Sequence, residues 1–241
     1  AGFPLVVHNR SRAAVDELVA EGATAAWTPA EVAAGVDIVL TNLPDSPDVE
    51  HVALGKDGIL EGAHEGLIFI DNSTILPATA RKIAVGLAEK GVFALDAPVS
   101  GGDIGAINGT LTIMLGGEES ALNKAMPVLE AMGKSITLVG DAGAGQIAKV
   151  CNQIMVGAQM VAMGELLIVA QKAGADPQKV VQAIKGGAAQ CWALDIKPSR
   201  LFDGNREPGF KAYMQAKDLN IVLDTAREYG VPVPGTAANT Q

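Results

Sequence analysis

Ile136-Thr-Leu-Val-Gly-Asp-Ala-Gly143-Ala-Gly-Gln-Ile-Ala-Lys149-Val-Cys-Asn152-Gln153 is where the chain changes character. Upstream of Gly140, short β-branched runs alternate with helical stretches. Downstream the helical pattern takes over and no convincing strand follows. The expected architecture is therefore an α/β domain followed by an all-α domain, with the Lys149 helix at the junction. That helix is expected from about Gly145 to Ala173, with Gly174 as its C-terminal cap. Lys149 lies early on it, and Asn152 at i+3 and Gln153 at i+4 share its face. A lysine there is costly to bury unless it has a charged partner or a task. Proton transfer is one such task, because burial draws an amine pKa toward neutrality. The competing reading is a side chain that snorkels to solvent.

Working outward, Leu5–His8, Val36–Leu40, Leu67–Ile70, Val92–Asp96, Leu111–Leu115 and Ile136–Val139 read as strands. Arg12–Glu21, Pro77–Lys90 and Glu118–Met132 read as helices, and Thr28-Pro29-Ala30-Glu31 has a capping-box pattern with proline at the first helical position. Strands spaced by helices predict βα units around a mainly parallel sheet. The second half adds helices over Pro177–Lys185 and Asp218–Glu228, giving domains over 1–141 and 142–241. Gly157 and Gly164, inside the long helix, are expected to permit close helix packing.

Composition narrows the function. Lys+Arg is 18 and Asp+Glu 27, for a net charge of −9, and no basic stripe appears. That argues against nucleic acid and an anionic membrane as partners. Cys151 and Cys191 are too few and too distant for a disulfide scaffold and fit a reducing cytoplasm. His8, His51 and His64 show no metal-ligand spacing, so no metal site is expected. No secretory leader is expected at the opening residues. The apolar run Ile154–Ala170 approaches membrane length but includes Gln159, Gly164 and Glu165, and reads as a helix buried between domains or subunits.

Several loops follow strand ends, where ligands gather in such sheets. Asp96-Ala-Pro-Val-Ser100-Gly101-Gly102 offers a hydroxyl and two glycines whose N–H groups can approach an anion such as a carboxylate. An ordinary Ser-Gly-Gly turn is the plainer alternative. Asn9-Arg10-Ser11 ends a strand and opens a helix without an acid. At a dinucleotide site that favours a 2′-phosphate, hence NADP over NAD; otherwise Ser11 is an N-cap and Arg10 a solvated residue. Leu40-Thr-Asn-Leu43-Pro44-Asp45, Asp71-Asn-Ser-Thr74 and Glu207-Pro-Gly-Phe210 are each compatible with plain loop chemistry. Asp218, in Lys217-Asp218-Leu219, would suit a helix N-terminus on dipole grounds alone.

In order and spacing these pieces together resemble the β-hydroxyacid dehydrogenase family, which includes 3-hydroxyisobutyrate dehydrogenase and tartronate semialdehyde (2-hydroxy-3-oxopropionate) reductase. The resemblance covers essentially the whole chain. It implies a Rossmann-like dinucleotide-binding domain, an all-α domain, and NAD(P)-dependent interconversion of a small 3-hydroxy acid with its semialdehyde. It assigns Lys149 as general acid/base and Ser100, Gly101 and Gly102 as the turn that holds the substrate carboxylate. Asn152 and Gln153 match the amide position that helps bind substrate. Relatives often carry asparagine at i+4; the Asn152-Gln153 order is that of the tartronate-semialdehyde-reductase-like branch. Asn9, Arg10 and Ser11 fall at the adenosine end of the cofactor. Leu43, Pro44, Thr74 and Lys217 match further cofactor contacts, and Phe210 lies beside the nicotinamide end. Homodimers or homotetramers are implied. The family pattern begins with a strand, a G-x-G-x-x-G loop and a helix ending in Ala-Gly, whereas this sequence starts at Ala1-Gly2 and stops at Val233–Gln241, where relatives continue. A lineage of the same fold serving as a catalytically silent scaffold is the alternative, and the retained Lys149 counts against it.

Overall fold

Residues up to Gly140 alternate strands and helices in a computed structural model that describes residues 2–207 and 209–241. Ala1 and Pro208 lie outside the described residues, so the Glu207–Phe210 loop is described without its proline. The first elements are β1 (Val6–Val7), α1 (Arg12–Ala20), β2 (Thr24–Ala25), α2 (Pro29–Ala34), β3 (Ile38–Thr41), α3 (Ser46–Leu54), α4 (Ile59–Gly62), β4 (Ile68–Asp71) and α5 (Pro77–Ala88). Next come β5 (Phe93–Asp96), β6 (Val99–Ser100), α6 (Gly102–Ile107), β7 (Leu111–Gly116), α7 (Glu119–Met132) and β8 (Gly133–Gly140). β1 and β2 form a small parallel pair, and the remaining strands form one sheet.

β4 shows why the sequence folds this way. Its residues are buried on both faces, so the segment is a continuous apolar run rather than an alternation. Alternate side chains still diverge. Leu67 and Phe69 join a core with Val39, Val49, Ile59, Ile83 and Leu87, whereas Ile68 and Ile70 join one with Leu95, Ile113, Leu115, Leu122 and Leu129. Helices α3 and α5 supply the first core and α7 the second.

β3, β4 and β5 are parallel and in step, which aligns Thr41, Asp71 and Asp96 at their carboxyl ends. The expectation of a mainly parallel sheet holds for these three and for β7 with β8, and fails where β7 meets β5 and β6. β7 runs against β5 and β6 in a single register (Asp96↔Gly116, Val99↔Ile113, Ser100↔Thr112), and β8 lies parallel to β7. The physical reason is the short link through α6, which brings the chain back like a hairpin; a parallel return needs a crossover of a dozen residues or more. At α2, Thr28 Oγ1 accepts from Glu31 N at 3.1 Å as the capping box predicts. The Glu31 carboxylate, however, accepts from Trp27 N at 2.7 Å, one residue before the cap.

Beyond Gly140 the described residues are helical: α8 (Ala144–Lys172), α9 (Pro177–Ile184), α10 (Trp192–Phe202), α11 (Ala212–Glu228) and α12 (Pro234–Asn239). The residues up to Lys149 form one compact unit and Val150–Gln241 a second. The second is centred on Met163, Leu167, Val181, Ala193 and Leu194. Gly174, two residues past the end of α8, has a φ of 81° and is the left-handed cap expected there. Among the described residues α8 alone is long and apolar enough to cross a membrane, and it buries Val150, Met163, Leu167 and Ala170 within protein. Two expectations change. α11 begins at Ala212, so Asp218 is in its second turn and not at a helix N-terminus. Gly157 does make room for Leu219, 3.1 Å from where a Cβ would sit, but nothing lies within 4 Å of one at Gly164.

Candidate functional site

Three polar side chains end the parallel strands side by side. All the hydrogen bonds to the Asp71 side chain converge on one oxygen: Oδ1 accepts from Thr41 Oγ1 (2.8 Å), Ser73 N (3.1 Å) and Ser73 Oγ (2.6 Å). Oδ2 is buried without a partner. Burial therefore pushes this carboxyl up from 3.8 to about 6, against the lowering effect of the Ser73 and Thr41 hydrogen bonds and with a smaller upward push from Asp96. The sign follows directly. An acid whose native pKa exceeds its unfolded value costs stability above the native pKa, and the folded state regains it as pH falls from about 6 toward 4. Asp71→Asn keeps an oxygen for the three donors and removes the buried charge. It is expected to raise stability above pH 6 by up to about 3 kcal/mol and to flatten the pH 4–6 slope in thermal melts. A variant that melts below the parent at pH 7.5 contradicts this.

Asp96, also buried, holds the start of α8. Its Oδ1 accepts from Gly143 N at 2.6 Å and its Oδ2 from Gln146 N at 2.8 Å. Burial raises its pKa, and the backbone donors Gly143, Gln146 and Gly145 pull the other way. The approach is close enough to require glycine: a Cβ at Gly145 would meet Met114 O at 2.5 Å and Asp96 O at 2.6 Å. Gln146 is fully buried and uses both ends of its amide. Oε1 accepts from Ile75 N at 3.1 Å, and Nε2 donates to Ser73 O at 2.8 Å.

One turn further on, Lys149 is 7% exposed and donates from Nζ to Val99 O at 2.7 Å. The lysine is thus buried, not snorkelling, and it is tied to the strand residue immediately before Ser100. Ser100 is half-buried, while Gly101 and Gly102 are exposed. Their φ values of 133° and 65° call for glycine. Nothing lies within 4 Å of a Cβ at Gly102, so backbone conformation rather than space is the constraint there. Asp96 and Gln146, not singled out as site residues in the sequence, are what join the start of α8 to the end of β5 and to the segment after β4.

The residues matched to cofactor contacts in this unit lie at strand ends. Leu43 N donates to Ser73 Oγ at 2.8 Å, which ties the Leu43-Pro44 loop to the segment carrying half-buried Thr74. Asn9, Arg10 and Ser11 are exposed beyond β1. Ser11 is the N-cap residue of α1 but its hydroxyl makes no capping bond; Asn9 Oδ1 accepts from Ser11 N at 3.4 Å. An exposed guanidinium at Arg10 and loops beyond the carboxyl ends of parallel strands are a donor set that fits a phosphate-bearing dinucleotide.

In the second unit, Gln153 and Asp218 are each 3% exposed. Asn152 Nδ2 donates to Gln153 Oε1 at 2.7 Å, and Gln153 Nε2 donates to Asp218 Oδ2 at 2.7 Å. Lys217 Nζ lies 2.7 Å from Asp218 Oδ1. Phe210 is 45% exposed.

Residues 1–140 match the family described as the NAD binding domain of 6-phosphogluconate dehydrogenase. Residues 143–241 match the NAD-binding domain of NADP-dependent 3-hydroxyisobutyrate dehydrogenase. The chain is 42% identical over 234 residues to the oxidoreductase YkwC of Bacillus subtilis, covering 97% of this chain and 81% of that protein. It is also 42% identical over 222 residues to 2-hydroxy-3-oxopropionate reductase of Escherichia coli, covering 92% and 76%. Among solved structures, Mycobacterium tuberculosis 3-hydroxyisobutyrate dehydrogenase with L-serine superposes with a TM-score of 0.91 at 33% identity, covering 99% of this chain and 84% of that one.

Proposed function

Since the chain belongs to the β-hydroxyacid dehydrogenase family, we propose that it is an NADP-preferring reductase whose substrate is tartronate semialdehyde (2-hydroxy-3-oxopropionate). The broader activity is that of an NAD(P)-dependent oxidoreductase for small hydroxy acids or semialdehydes. The observation that carries the reading is the buried Lys149, held at Val99 O beside Ser100-Gly101-Gly102.

In this mechanism the Ser100 hydroxyl and the N–H groups of Gly101 and Gly102 bind the substrate carboxylate. Lys149 Nζ stands at the carbon to be oxidised or reduced. It takes the hydroxyl proton during oxidation and returns one to the aldehyde oxygen during reduction. The nicotinamide, when bound, supplies the hydride acceptor or donor. Asn152, one turn beyond Lys149, steadies the substrate's polar groups. Arg10 offers its guanidinium to the 2′-phosphate, while Leu43, Pro44, Thr74, Phe210 and Lys217 bind the rest of the cofactor. The choice of tartronate semialdehyde rests on the Asn152-Gln153 order and on the Glu207–Phe210 and Lys217–Leu219 stretches. 3-Hydroxyisobutyrate or succinic semialdehyde chemistry is the second reading, supported by the family described over 143–241. Exposed Met155, Ile168 and Val169 on α8 support association into a homodimer or homotetramer.

The test is NADPH and NADH oxidation by the complete protein with tartronate, methylmalonate and succinate semialdehydes. The expected result is the highest kcat/KM with tartronate semialdehyde and NADPH, and a KM for NADPH that Arg10→Ala raises far more than that for NADH. A preference for methylmalonate semialdehyde moves the assignment to the second reading, and equal effects on both cofactors remove Arg10 from the phosphate site.

A further inference from the structure

The four polar side chains on α8 and α11 form a chain with a direction. Asp218, paired at Oδ1 with Lys217, can only accept at Oδ2. Gln153 must therefore turn Nε2 toward it, and does so at 2.7 Å. The second Nε2 hydrogen points to Gln215 Oε1 at 3.4 Å. That leaves Gln153 Oε1 as the end facing Asn152, which has to answer with Nδ2, at 2.7 Å. An amide is almost the same shape when flipped, so sterics alone do not choose between its two orientations. A carboxylate at one end of the row does.

We propose that Asp218 is a positioning residue that, through Gln153, fixes which end of the Asn152 amide faces the substrate. The inference rests on the reading that Asn152 binds substrate. It also reassigns Gln153: with both ends of its amide engaged and only 3% of its surface exposed, Gln153 is a relay rather than a substrate contact. Asn152, half-buried, keeps Oδ1 and one Nδ2 hydrogen in a set orientation.

Moving the acid along the row tests this. In D218N, Lys217 can only donate and so keeps the amide oxygen at position 218, Nδ2 turns toward Gln153, and the polarity of the row is reversed. KM for the best semialdehyde of the panel, at saturating NADPH, is expected to rise about tenfold, the scale of one mismatched buried hydrogen bond. In the double variant D218N/Q153E the carboxylate stands at position 153 and accepts from both neighbours. Asn152 then again donates through Nδ2, and KM is expected to return to within about threefold of the parent. A double variant that folds but is no better than D218N overturns the inference. If D218N fails to fold, the double variant decides by itself: a near-parental KM supports the relay, and a raised KM or an unfolded protein overturns it. Asn152→Ala separates the two layers. If it leaves KM unchanged, the substrate role of Asn152 falls and the relay with it. If it raises KM while the double variant gives no rescue, only the relay falls.

Discussion

Lys149→Ala is expected to lower kcat by roughly two to four orders of magnitude in both directions, the usual range for loss of a positioned general acid–base group. KM for the hydroxy acid should change little, because in the proposed site the carboxylate is held by Ser100 and the Gly101-Gly102 turn. The fold should survive. The side chain gives up its hydrogen bond to Val99 O, a loss on the order of 1–3 kcal/mol. Lys149→Arg sharpens the test. Arginine keeps a positive charge and donor groups but does not release a proton at working pH, so it should restore the hydrogen bond without restoring turnover. Steady-state kinetics in both directions, with circular dichroism melts for each variant, read the two effects separately. Turnover in Lys149→Ala close to that of the parent rules out the lysine as the proton carrier. An active Lys149→Arg variant leaves it only an electrostatic role.

Much of the frame was legible because it is written in short-range patterns. The long helix was expected from Gly145 to Ala173 and spans Ala144–Lys172, since a sustained helical run and a glycine just past its end are local signals. The apolar run at Leu67–Ile70 likewise marks the buried strand β4. What stayed hidden depends on distance along the chain. Asp96 holds backbone groups about fifty residues away, and Gln146 bonds to Ser73 and Ile75 more than seventy residues back. No spacing rule encodes such partners. Lys149 shows the same limit: its place on the helix was readable, but snorkelling and burial differ only in what packs against it. Asp218 reads as a helix start because the helical stretch Ala212–Lys217 before it carries no clear start signal; Lys211 at its N-cap makes no side-chain capping bond. α3 is hidden from the sequence pattern although Asp45 caps it through Ser46 N, because Leu43-Pro44-Asp45 reads as a strand-end loop.

Asp96→Ala should be the most damaging structural change near the site. The carboxylate satisfies two buried N–H groups at the start of α8, Gly143 and Gln146, and alanine supplies no acceptor to either. A buried donor that loses a charged acceptor costs about 1.5–3 kcal/mol, so the pair costs on the order of 3–6 kcal/mol. For a chain of this size that corresponds to a fall in Tm on the order of 10 °C. The same change should lower kcat in the fraction that stays folded, since the loosened turn is the one that leads into Lys149. Asp96→Asn retains one acceptor and turns an NH2 toward the other N–H, so it should fall between parent and alanine in both Tm and kcat. Hydrogen exchange at the Gly143 and Gln146 amides locates the effect. Faster exchange there in Asp96→Ala, with β3 and β4 still protected, places the damage at the α8 anchor. Uniformly faster exchange across the sheet would instead make Asp96 a general core residue with no particular hold on the lysine helix.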